Sequence, residues 1–236
     1  MTAEEKKDAY HFLEIAEGWT DGYRTHRPAP VFTDDPDLSS MTIDSIAESI
    51  HTCTNCDLCK TRTNTVPGEG SDHPTVMIIG EGPGADEDAR GKPFIGKAGQ
   101  LLDKMLASIE LSRSANCFIT NIVKCRPPQN RDPLPDEAVA CRHFLIEQIG
   151  IIKPVAILAI GRIAIQNLLG TETGIGKLRG HFFDWNGIPL MATYHPSALL
   201  RNESLKRPTW EDLKLFRSRL LELVPDYADS FRNGTT

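Results

Sequence analysis

The sequence predicts an α/β fold in which a mostly parallel sheet is covered by helices on both faces. Four apolar runs have the length of buried strands: 75–80, 117–123, 154–161 and 188–193. Helical patterns separate the first three runs, and this alternation is typical of a parallel sheet. The 236 residues, 40% of them hydrophobic, suffice for one sizeable core and are too few for two.

The first forty residues are predicted to be an appendage to that core. Four apolar residues share one helical face near the start: Ala9, Phe12, Leu13 and Ala16. From Gly18 to Ser40 the periodicity is lost, and proline and aspartate accumulate as in a loop or linker. We therefore expect three segments: an N-terminal helix and acidic linker (1–40), a main domain (41–225) and a C-terminal tail (226–236).

A helix beginning near Thr42 leads into a cluster of cysteines. Three of them lie three residues apart and two follow much later: Cys53, Cys56, Cys59, Cys125 and Cys141. A Cys-x-x-Cys turn presents two thiolates to one metal, and two distant cysteines can complete the site. The spacing alone does not separate zinc from an iron–sulfur cluster, although the lack of a second Cys-x-x-Cys favours a cluster. Cys59 is a spare thiol that competes with Cys56, and Cys117, inside an apolar run, is predicted to be an ordinary buried thiol.

Residues 75–102 form the stretch around which the chain is organised. The first apolar run breaks into Gly80-Glu81-Gly82-Pro83-Gly84, and helical spacing resumes at 97–109. Glycines in such a turn let a ligand approach the backbone, so the turn predicts a binding site. It has neither the phosphate-binding P-loop spacing nor the dinucleotide pattern. Two carboxylates and an aromatic ring lie on the same loop: Glu81, Glu87 and Phe94.

Polar side chains also follow the later strands. Asn121 lies near the end of the second run, Gly161 ends the third, and His195 follows the fourth. Further helices are predicted at 136–150, from Arg162, and around 210–223. In parallel sheets the ligand crevice lies beyond the carboxyl ends of the strands, so we expect these residues to share one rim with Glu81. Each has a structural alternative when it is taken singly: a turn cap for Asn121, a loop histidine for His195.

Charge and composition limit the possible binding partners and the cellular compartment of the protein. The net charge is −6, but the first fifty residues hold eleven of the 32 acidic residues and four of the 26 basic ones. The rest of the chain is therefore nearly neutral, which leaves room for a basic face on DNA. No run is long enough to span a membrane, and the acidic start lacks the order of a signal peptide. We expect a cytoplasmic protein whose cysteines are reduced.

Several segments together resemble a known family. GEGPGADEDARGKPFIGKAGQLLD, ITNIVKCRPPQNRDPLPDE, the helix carrying Cys141 and TYHPSALLRN are similar, in order, to the family 4 uracil-DNA glycosylases, the iron–sulfur members of their superfamily. The likeness covers roughly Cys53 to Leu223. It implies a three-layer α/β/α sandwich with a four-stranded central sheet. It also implies hydrolysis of the N-glycosidic bond of uracil in single- or double-stranded DNA after base flipping, leaving an abasic site. A [4Fe–4S] cluster would be held by Cys53, Cys56, Cys125 and Cys141.

The same resemblance implies a role for each pocket residue. Phe94 would stack on the flipped base and Asn121 would read uracil, with a further partner expected to fix the orientation of its amide. His195 would donate to uracil O2, helped by backbone N–H groups at Gly82, while Glu81 would orient water. Glu87 is expected to assist base recognition, although a solvated loop carboxylate is a close alternative, and its neighbours Asp86 and Asp88 are expected to be solvated or helix-capping.

Contacts to DNA are expected from basic residues and the loop after His195. The basic candidates are Lys124, Arg126, Arg131, Lys177, Arg179 and Arg201. Ser197 belongs to the same loop, and Leu199 or Leu200 would wedge into the base stack, with helix packing as the alternative for these leucines. We expect a monomer with no membrane partner.

Three other functions are alternatives to the glycosylase. A related branch that becomes covalently attached to DNA carries a histidine in an inserted loop, and this chain has no such insertion before the Cys141 helix. A DNA-binding module without turnover would not need Glu81 and His195. An iron–sulfur redox protein would leave every motif except the cysteines unexplained.

Overall fold

The computed structural model describes residues 41–71 and 73–233, together with Thr2 and Glu4. By internal contacts the chain divides into two units, Met1–Met41 and Thr42–Thr236. The helix predicted around Ala9 and the linker at 18–40 lie outside the described residues. Within the described residues, no helix is both long and apolar enough to cross a membrane.

The second unit is built on one six-stranded sheet with the order β1-β3-β2-β4-β6-β5. The strands are β1 (Glu69–Gly70), β2 (Val76–Gly80), β3 (Cys117–Asn121), β4 (Ala156–Ile160), β5 (Phe182–Trp185) and β6 (Ile188–Thr193). The four central strands β3, β2, β4 and β6 are parallel, and every residue of β2, β3 and β4 is buried. The α/β class and the four predicted strands are therefore confirmed.

The two additional strands lie at the sheet edges and run antiparallel to their neighbours. β1 pairs with β3, and β5 forms a hairpin with β6. Asn186 and Gly187 connect this hairpin with φ angles of 51° and 85°. Asn-Gly is a strong signal for a two-residue hairpin turn, because both central residues need positive φ. The sheet thus has six strands and not four.

Nine helices of the described residues pack around the sheet or extend its loops. They are α1 (Ile43–His51), α2 (Ala85–Arg90), α3 (Lys97–Ala107), α4 (Pro135–Ile152), α5 (Arg162–Leu169), α6 (Ile175–Leu178), α7 (Pro196–Arg201), α8 (Lys206–Leu223) and α9 (Asp229–Asn233). Short 3-10 turns at Asp57–Lys60, Pro128–Asn130 and Glu203–Leu205 complete the connections.

The main core joins the sheet to α3 and α8. Leu102 and Leu106 of α3 and Phe216 and Leu220 of α8 are fully buried against side chains of β2, β3 and β4. The segment after α8 belongs to the same core, since Tyr227 is 3% exposed and its hydroxyl donates to the Ile109 carbonyl at 2.8 Å. Burial of these apolar side chains is the main term that stabilises the unit.

Candidate active site

A cavity of about 480 Å³ opens at the carboxyl edge of the four parallel strands. Each strand contributes its end: Glu81 follows β2, Asn121 ends β3, Gly161 follows β4 and His195 follows β6. The volume lies within the range of small-molecule sites. The structure therefore brings together the polar residues that the sequence places after separate strands.

Asn121 presents an unsatisfied hydrogen-bond acceptor at this cavity. The residue is 1% exposed, and its side-chain Oδ1 is buried with no hydrogen-bond partner among the described residues. A buried acceptor without a donor costs free energy, so such a group is a candidate for binding a ligand that supplies the donor. The partner predicted to fix this amide is absent from the described residues, and that prediction is wrong. Lys124 Nζ instead donates to the backbone oxygen of Asn121 at 2.8 Å.

Gly80 allows Asn121 and Phe94 to meet at the end of β2. A Cβ atom at Gly80 would lie 2.4 Å from Asn121 Oδ1 and 2.5 Å from the Phe94 ring. Both distances are shorter than any contact that carbon tolerates, so a side chain at this position would displace the two groups that line the cavity. The close approach explains why glycine ends this strand.

Phe94 lies at the base of the cavity and also belongs to the core. It is 6% exposed, and its ring centroid lies 5.6 Å from that of His195. Its φ angle is 51°, in the left-handed region that non-glycine residues seldom adopt. The core and stacking interpretations are thus compatible, because a ring that is packed from behind still borders the cavity.

The His195 ring is held in one orientation by the first turn of α7. Its Nδ1 accepts the backbone N–H of Ser197 at 3.1 Å, and the Ser197 hydroxyl lies 2.8 Å from the same nitrogen. Burial and then the charge of Arg201 lower the pKa of His195 to about 4. The ring is therefore neutral at neutral pH. Because Nδ1 is an acceptor, its proton is on Nε2, which can donate.

Glu81 has a carboxyl group that ionises near neutral pH. Burial is the largest cause of its raised pKa, and the negative charge of Asp132 adds to it, giving a value of about 7, while Arg162 acts in the opposite direction. Asp132 and Arg162 line the same cavity and form an ion pair with each other. The neighbouring Gly82 also lines the cavity. A carboxyl group with a perturbed pKa in a cleft is a candidate for proton transfer or for orienting water.

The carboxylates of Glu87 and Asp88, both in α2, accept hydrogen bonds from backbone N–H groups. The Glu87 carboxylate accepts backbone N–H groups of Gly84, Ile95 and Gly96 at 2.9–3.1 Å while bordering the cavity. Asp88 is 4% exposed and accepts the backbone N–H groups of residues 63 and 64. The expectation that Asp88 is solvated or caps a helix is wrong. Glu87 thus connects the glycine turn to residues 95–96, and Asp88 connects α2 to residues 63–64.

Three residues expected to contact DNA are engaged inside the protein. Lys124 is 1% exposed, and its Nζ donates to Thr120, Asn121 and Gln148. Leu199 is 2% exposed and belongs to the core. The predictions that Lys124 and Leu199 contact DNA are therefore wrong. The sequence does not reveal the error, because a loop lysine or a leucine near a site looks the same in sequence whether its side chain points inward or outward.

Arg179 is the third such residue. Its guanidinium donates to the buried carboxylate of Asp212 and to the Pro208 carbonyl, and it lies over the Tyr194 ring at 5.4 Å. The side chain is 20% exposed. Nε and Nη2 are thus occupied by residues of α8, so the structure gives Arg179 a role within the protein, and its contact with DNA stays a prediction.

Other candidates lie at the surface or at the rim of the cavity. Arg201 and Ser197 line the cavity, Lys177 is exposed, and Leu200 is 51% exposed beside the buried Leu199. Arg126 is partly exposed and donates to Asn130, while Arg131 pairs through both terminal nitrogens with Glu137. Arg201, Lys177 and Leu200 are therefore accessible to a DNA partner, and Arg126 and Ser197 are partly accessible.

The cysteines form a second site where α1, α4 and the loop after β3 meet. Five of them line one small cavity with apolar walls that include Ile50 and Phe144: Cys53, Cys56, Cys59, Cys125 and Cys141. Arg62 Nη1 donates to Cys125 Sγ at 3.1 Å, and the Lys124 backbone N–H donates to Cys141 Sγ at 3.4 Å. In the described residues, no three metal-binding side chains converge as a single ion requires. Cys117 is fully buried elsewhere in the core, as expected.

Sequence reasoning missed three residues that influence the site by acting on Glu81 or on the backbone at Phe94. Asp132 and Arg162 modify the Glu81 carboxyl, and Arg113 donates to the backbone at Phe94. Arg162 lies two residues after the end of β4, so the strand-end rule was a usable signal for it. Arg113 and Asp132 lie in loops, and no spacing connects them to the residues that they contact.

Comparison with known proteins assigns the chain to a family. Residues 67–214 match the family model for the uracil DNA glycosylase superfamily. The chain is 41% identical to the type-4 uracil-DNA glycosylase of Saccharolobus solfataricus over 82% of this chain and 93% of that protein. It is 44% identical to the type-4 enzyme of Thermotoga maritima over 73% and 92%. It is 43% identical to that of Archaeoglobus fulgidus over 73% and 90%. The chain therefore belongs to the type-4 family of the uracil-DNA glycosylase superfamily.

Proposed function

We propose that the protein is a DNA repair glycosylase that hydrolyses the N-glycosidic bond of uracil after base flipping and leaves an abasic site. The observation that carries this function is the buried Oδ1 of Asn121 beside the Phe94 ring, for which the described residues offer no hydrogen-bond partner. A base flipped out of DNA offers hydrogen-bonding edges and a flat face, and this pair complements both. The names of the type-4 relatives support uracil as the base.

Base recognition follows from the hydrogen-bonding groups of Asn121. Uracil N3–H would donate to the empty Oδ1, and the amide Nδ2 would donate to uracil O4. Phe94 would support the ring by stacking. The described residues provide no hydrogen bond that holds the amide in this orientation, so cytosine is not rejected by a fixed amide alone.

Bond cleavage requires that negative charge be stabilised on the leaving base. The neutral His195 ring carries its proton on Nε2 and would donate to uracil O2 as the C1′–N1 bond breaks and its electron pair moves to the base. A backbone N–H at Gly82 would assist. Glu81 in its carboxylate form would orient a water molecule whose oxygen bonds to C1′ and would stabilise the cationic sugar. One water proton then passes to the carboxylate and onward to solvent.

The DNA strand would be held at the rim of the cavity. Arg201 lines the cavity and would contact phosphate, and Arg126 and Ser197 are further candidates. Leu200 is exposed next to the cavity-lining residue Arg201 and replaces Leu199 as the residue that would fill the stack vacated by the base. We expect the protein to act as a monomer on cytoplasmic DNA.

The cofactor we propose is a [4Fe–4S] cluster held by Cys53, Cys56, Cys125 and Cys141. The donor set supports it, since these four cysteines line one cavity with apolar walls, and thiolates are the ligands that such clusters use. The N–H groups that reach Cys125 and Cys141 would stabilise thiolate charge. When bound, the cluster would supply a covalent link between the N-terminal cysteine turn and α4, and no step of the hydrolysis passes through it.

The test is incubation of the purified, cluster-containing protein with end-labelled oligonucleotides that carry one uracil, unpaired, opposite G or opposite A. Alkaline treatment cleaves the strand at abasic sites, so strand breaks report base release. We expect breaks that disappear in Asn121→Ala and His195→Ala. An oligonucleotide with cytosine at the same position is the matched control for the base.

Three outcomes would contradict the proposal. A protein that binds the uracil strand without breaks would be a binding module, and one that migrates as a protein–DNA adduct after denaturation would belong to the crosslinking type. Retained cleavage in both Asn121→Ala and His195→Ala would place the chemistry outside this cavity.

A further inference from the structure

The backbone of Phe94 is held in an unfavourable conformation by contacts outside the cavity. Its φ angle of 51° lies in a region where a side chain crowds the following carbonyl. Such a conformation persists only when the surrounding structure over-determines it. The groups that hold this backbone therefore control where the ring lies.

Arg113 supplies two of these contacts from the loop between α3 and β3. Its Nη1 donates to the Pro93 carbonyl at 2.9 Å, and its Nη2 donates to the Phe94 carbonyl at 2.9 Å. The side chain is 21% exposed, and Arg113 is not among the residues that line the active-site cavity. One planar guanidinium thus binds two successive backbone carbonyls, those of Pro93 and Phe94.

Carboxylates hold the guanidinium itself in place. Asp103 of α3 accepts from Nε at 3.1 Å and from Nη2 at 2.9 Å, and Glu69 of β1 lies 3.4 Å from Nη1. Lys92 pairs with the other oxygen of Glu69 at 2.8 Å. Because its contacts come from a strand and a helix, the guanidinium connects the Phe94 loop to two rigid elements.

Gly99 of α3 packs against the Phe94 carbonyl from the side opposite Arg113. A Cβ atom at Gly99 would lie 1.8 Å from the Phe94 oxygen, so the first turn of α3 approaches the loop as closely as a glycine permits. The carbonyl of Phe94 is therefore confined between α3 and the Arg113 guanidinium.

We infer that Arg113 is a positioning residue of the active site, which holds the Phe94 ring where a flipped base must stack. This inference rests on the proposed function, since it gives Arg113 a role only if Phe94 stacks on the substrate. Lys cannot replace Arg113 fully, because one ammonium group cannot span two carbonyls and a carboxylate in the same fork.

The test is a double-mutant cycle on the full-length, cluster-containing protein. Single-turnover rates of uracil release are measured for Arg113→Gln, Phe94→Leu and the double variant. We expect Arg113→Gln to lose up to about 10²-fold, as for other displacements of a positioned group. In the Phe94→Leu background the same change is expected to cost less, because no aromatic ring remains to be positioned. Arg113→Lys should restore part of the rate.

Binding measurements separate positioning from a general loss of structure. Arg113→Gln should weaken binding to DNA that contains uracil more than binding to the abasic product, which has no base to stack. Arg217→Gln is the matched control, since Arg217 is also paired with a carboxylate, Glu110 at 2.7 Å, but does not contact the Phe94 loop. It should leave both the rate and the two affinities close to those of the unmodified protein.

The double-mutant cycle can contradict the inference directly. Equal losses in the two backgrounds, within about twofold, would show that Arg113 does not act through the ring and would overturn the inference. If Arg113→Gln does not fold, Asp103→Asn loosens the same guanidinium and takes its place in the cycle. An unmodified protein that releases no uracil would overturn the proposed function, and this inference with it. A cleaving protein with additive variants would overturn the inference alone.

Discussion

The ionisation of Glu81 is expected to set the pH dependence of the reaction. Its pKa is raised to about 7 by burial and by Asp132, and the carboxylate is the form that orients water. As pH falls below about 7 the carboxylate is lost, so kcat/KM should fall about tenfold per pH unit. His195 does not contribute to this change, because its pKa of about 4 keeps it neutral throughout. The measurement is kcat/KM between pH 5 and 9, roughly the range in which such groups titrate.

Two neighbours of Glu81 provide opposite controls. Asp132→Asn removes a negative charge and frees Arg162, so the pH at which kcat/KM declines should move down. Arg162→Gln should move it up. If Glu81→Gln kept the same acidic decline, the titrating group would be another residue.

Gly80 should be intolerant of any side chain, for reasons of space. Gly80→Ala places a Cβ 2.4 Å from Asn121 Oδ1 and 2.5 Å from the Phe94 ring, which must both shift. We expect a loss of about 1–3 kcal/mol in the free energy of unfolding, as for other overpacked sites, and a large loss of uracil release.

The control for this glycine lies in a helix. At Gly176 in α6, the part of the chain that the structure describes places no atom within 4 Å of a new Cβ, apart from adjacent residues and the backbone of the helix itself. Because its φ angle is one that alanine adopts, Gly176→Ala should leave stability unchanged or raised. Thermal unfolding and single-turnover rates measure the two effects. Normal activity in Gly80→Ala would show that the cavity tolerates displacement of both groups.

At the level of elements, Arg179 joins α8 to the sheet. Its guanidinium pairs with Asp212 of α8, which is 2% exposed and also accepts from Thr193 of β6 at 2.6 Å. Arg179→Ala would leave this buried carboxylate without its cation, at a cost of about 3–5 kcal/mol. Denaturant unfolding measures the loss.

Arg201 provides the contrasting case at the rim of the cavity. Arg201→Ala should leave stability nearly unchanged, weaken DNA binding regardless of sequence and reduce the slope of log K against log salt by about one. A smaller salt slope for Arg179→Ala, with unchanged stability, would instead show that Arg179 contacts DNA.

The sequence predicted the central elements because their signals are local. Strands such as Val76–Gly80 are continuous apolar runs, and polar residues directly after them must share one edge of a parallel sheet. The edge strand β1 has two residues and no pattern of its own. The β5 hairpin had a usable signal in Asn186-Gly187, which sequence reasoning did not use.

What escaped prediction was the direction of individual side chains. Lys124, Leu199 and Arg179 lie in the expected segments but face inward, and only the packing of distant elements determines this. The hydrogen bonds from Arg113 to the backbone at Phe94 escaped prediction for the same reason. Arg113 is 19 residues from Phe94 and 44 from Glu69, and contacts at such separations have no signature in one sequence.

At the scale of the whole molecule, the cysteine site connects segments that are far apart in the chain. Cys53 and Cys56 lie between α1 and the sheet, while Cys125 follows β3 and Cys141 lies within α4. A cluster that bridges such distant positions restricts the unfolded chain, and the free energy of binding a metal group to the folded protein adds to its stability. The Arg62 guanidinium reinforces the joint by donating to Cys125 Sγ and to the Cys53 carbonyl.

Loss of one ligand should therefore remove iron and lower the unfolding temperature together. We expect Cys125→Ser to lose most of its iron and sulfide, measured per chain, and to unfold at a lower temperature than the unmodified protein. Cys59→Ser is the matched control, because Cys59 lines the same cavity and is partly exposed. Iron retained in Cys59→Ser and lost in Cys56→Ser would support the proposed ligand set. The reverse would make Cys59 the ligand, and full iron content in Cys125→Ser would exclude this cysteine from the site.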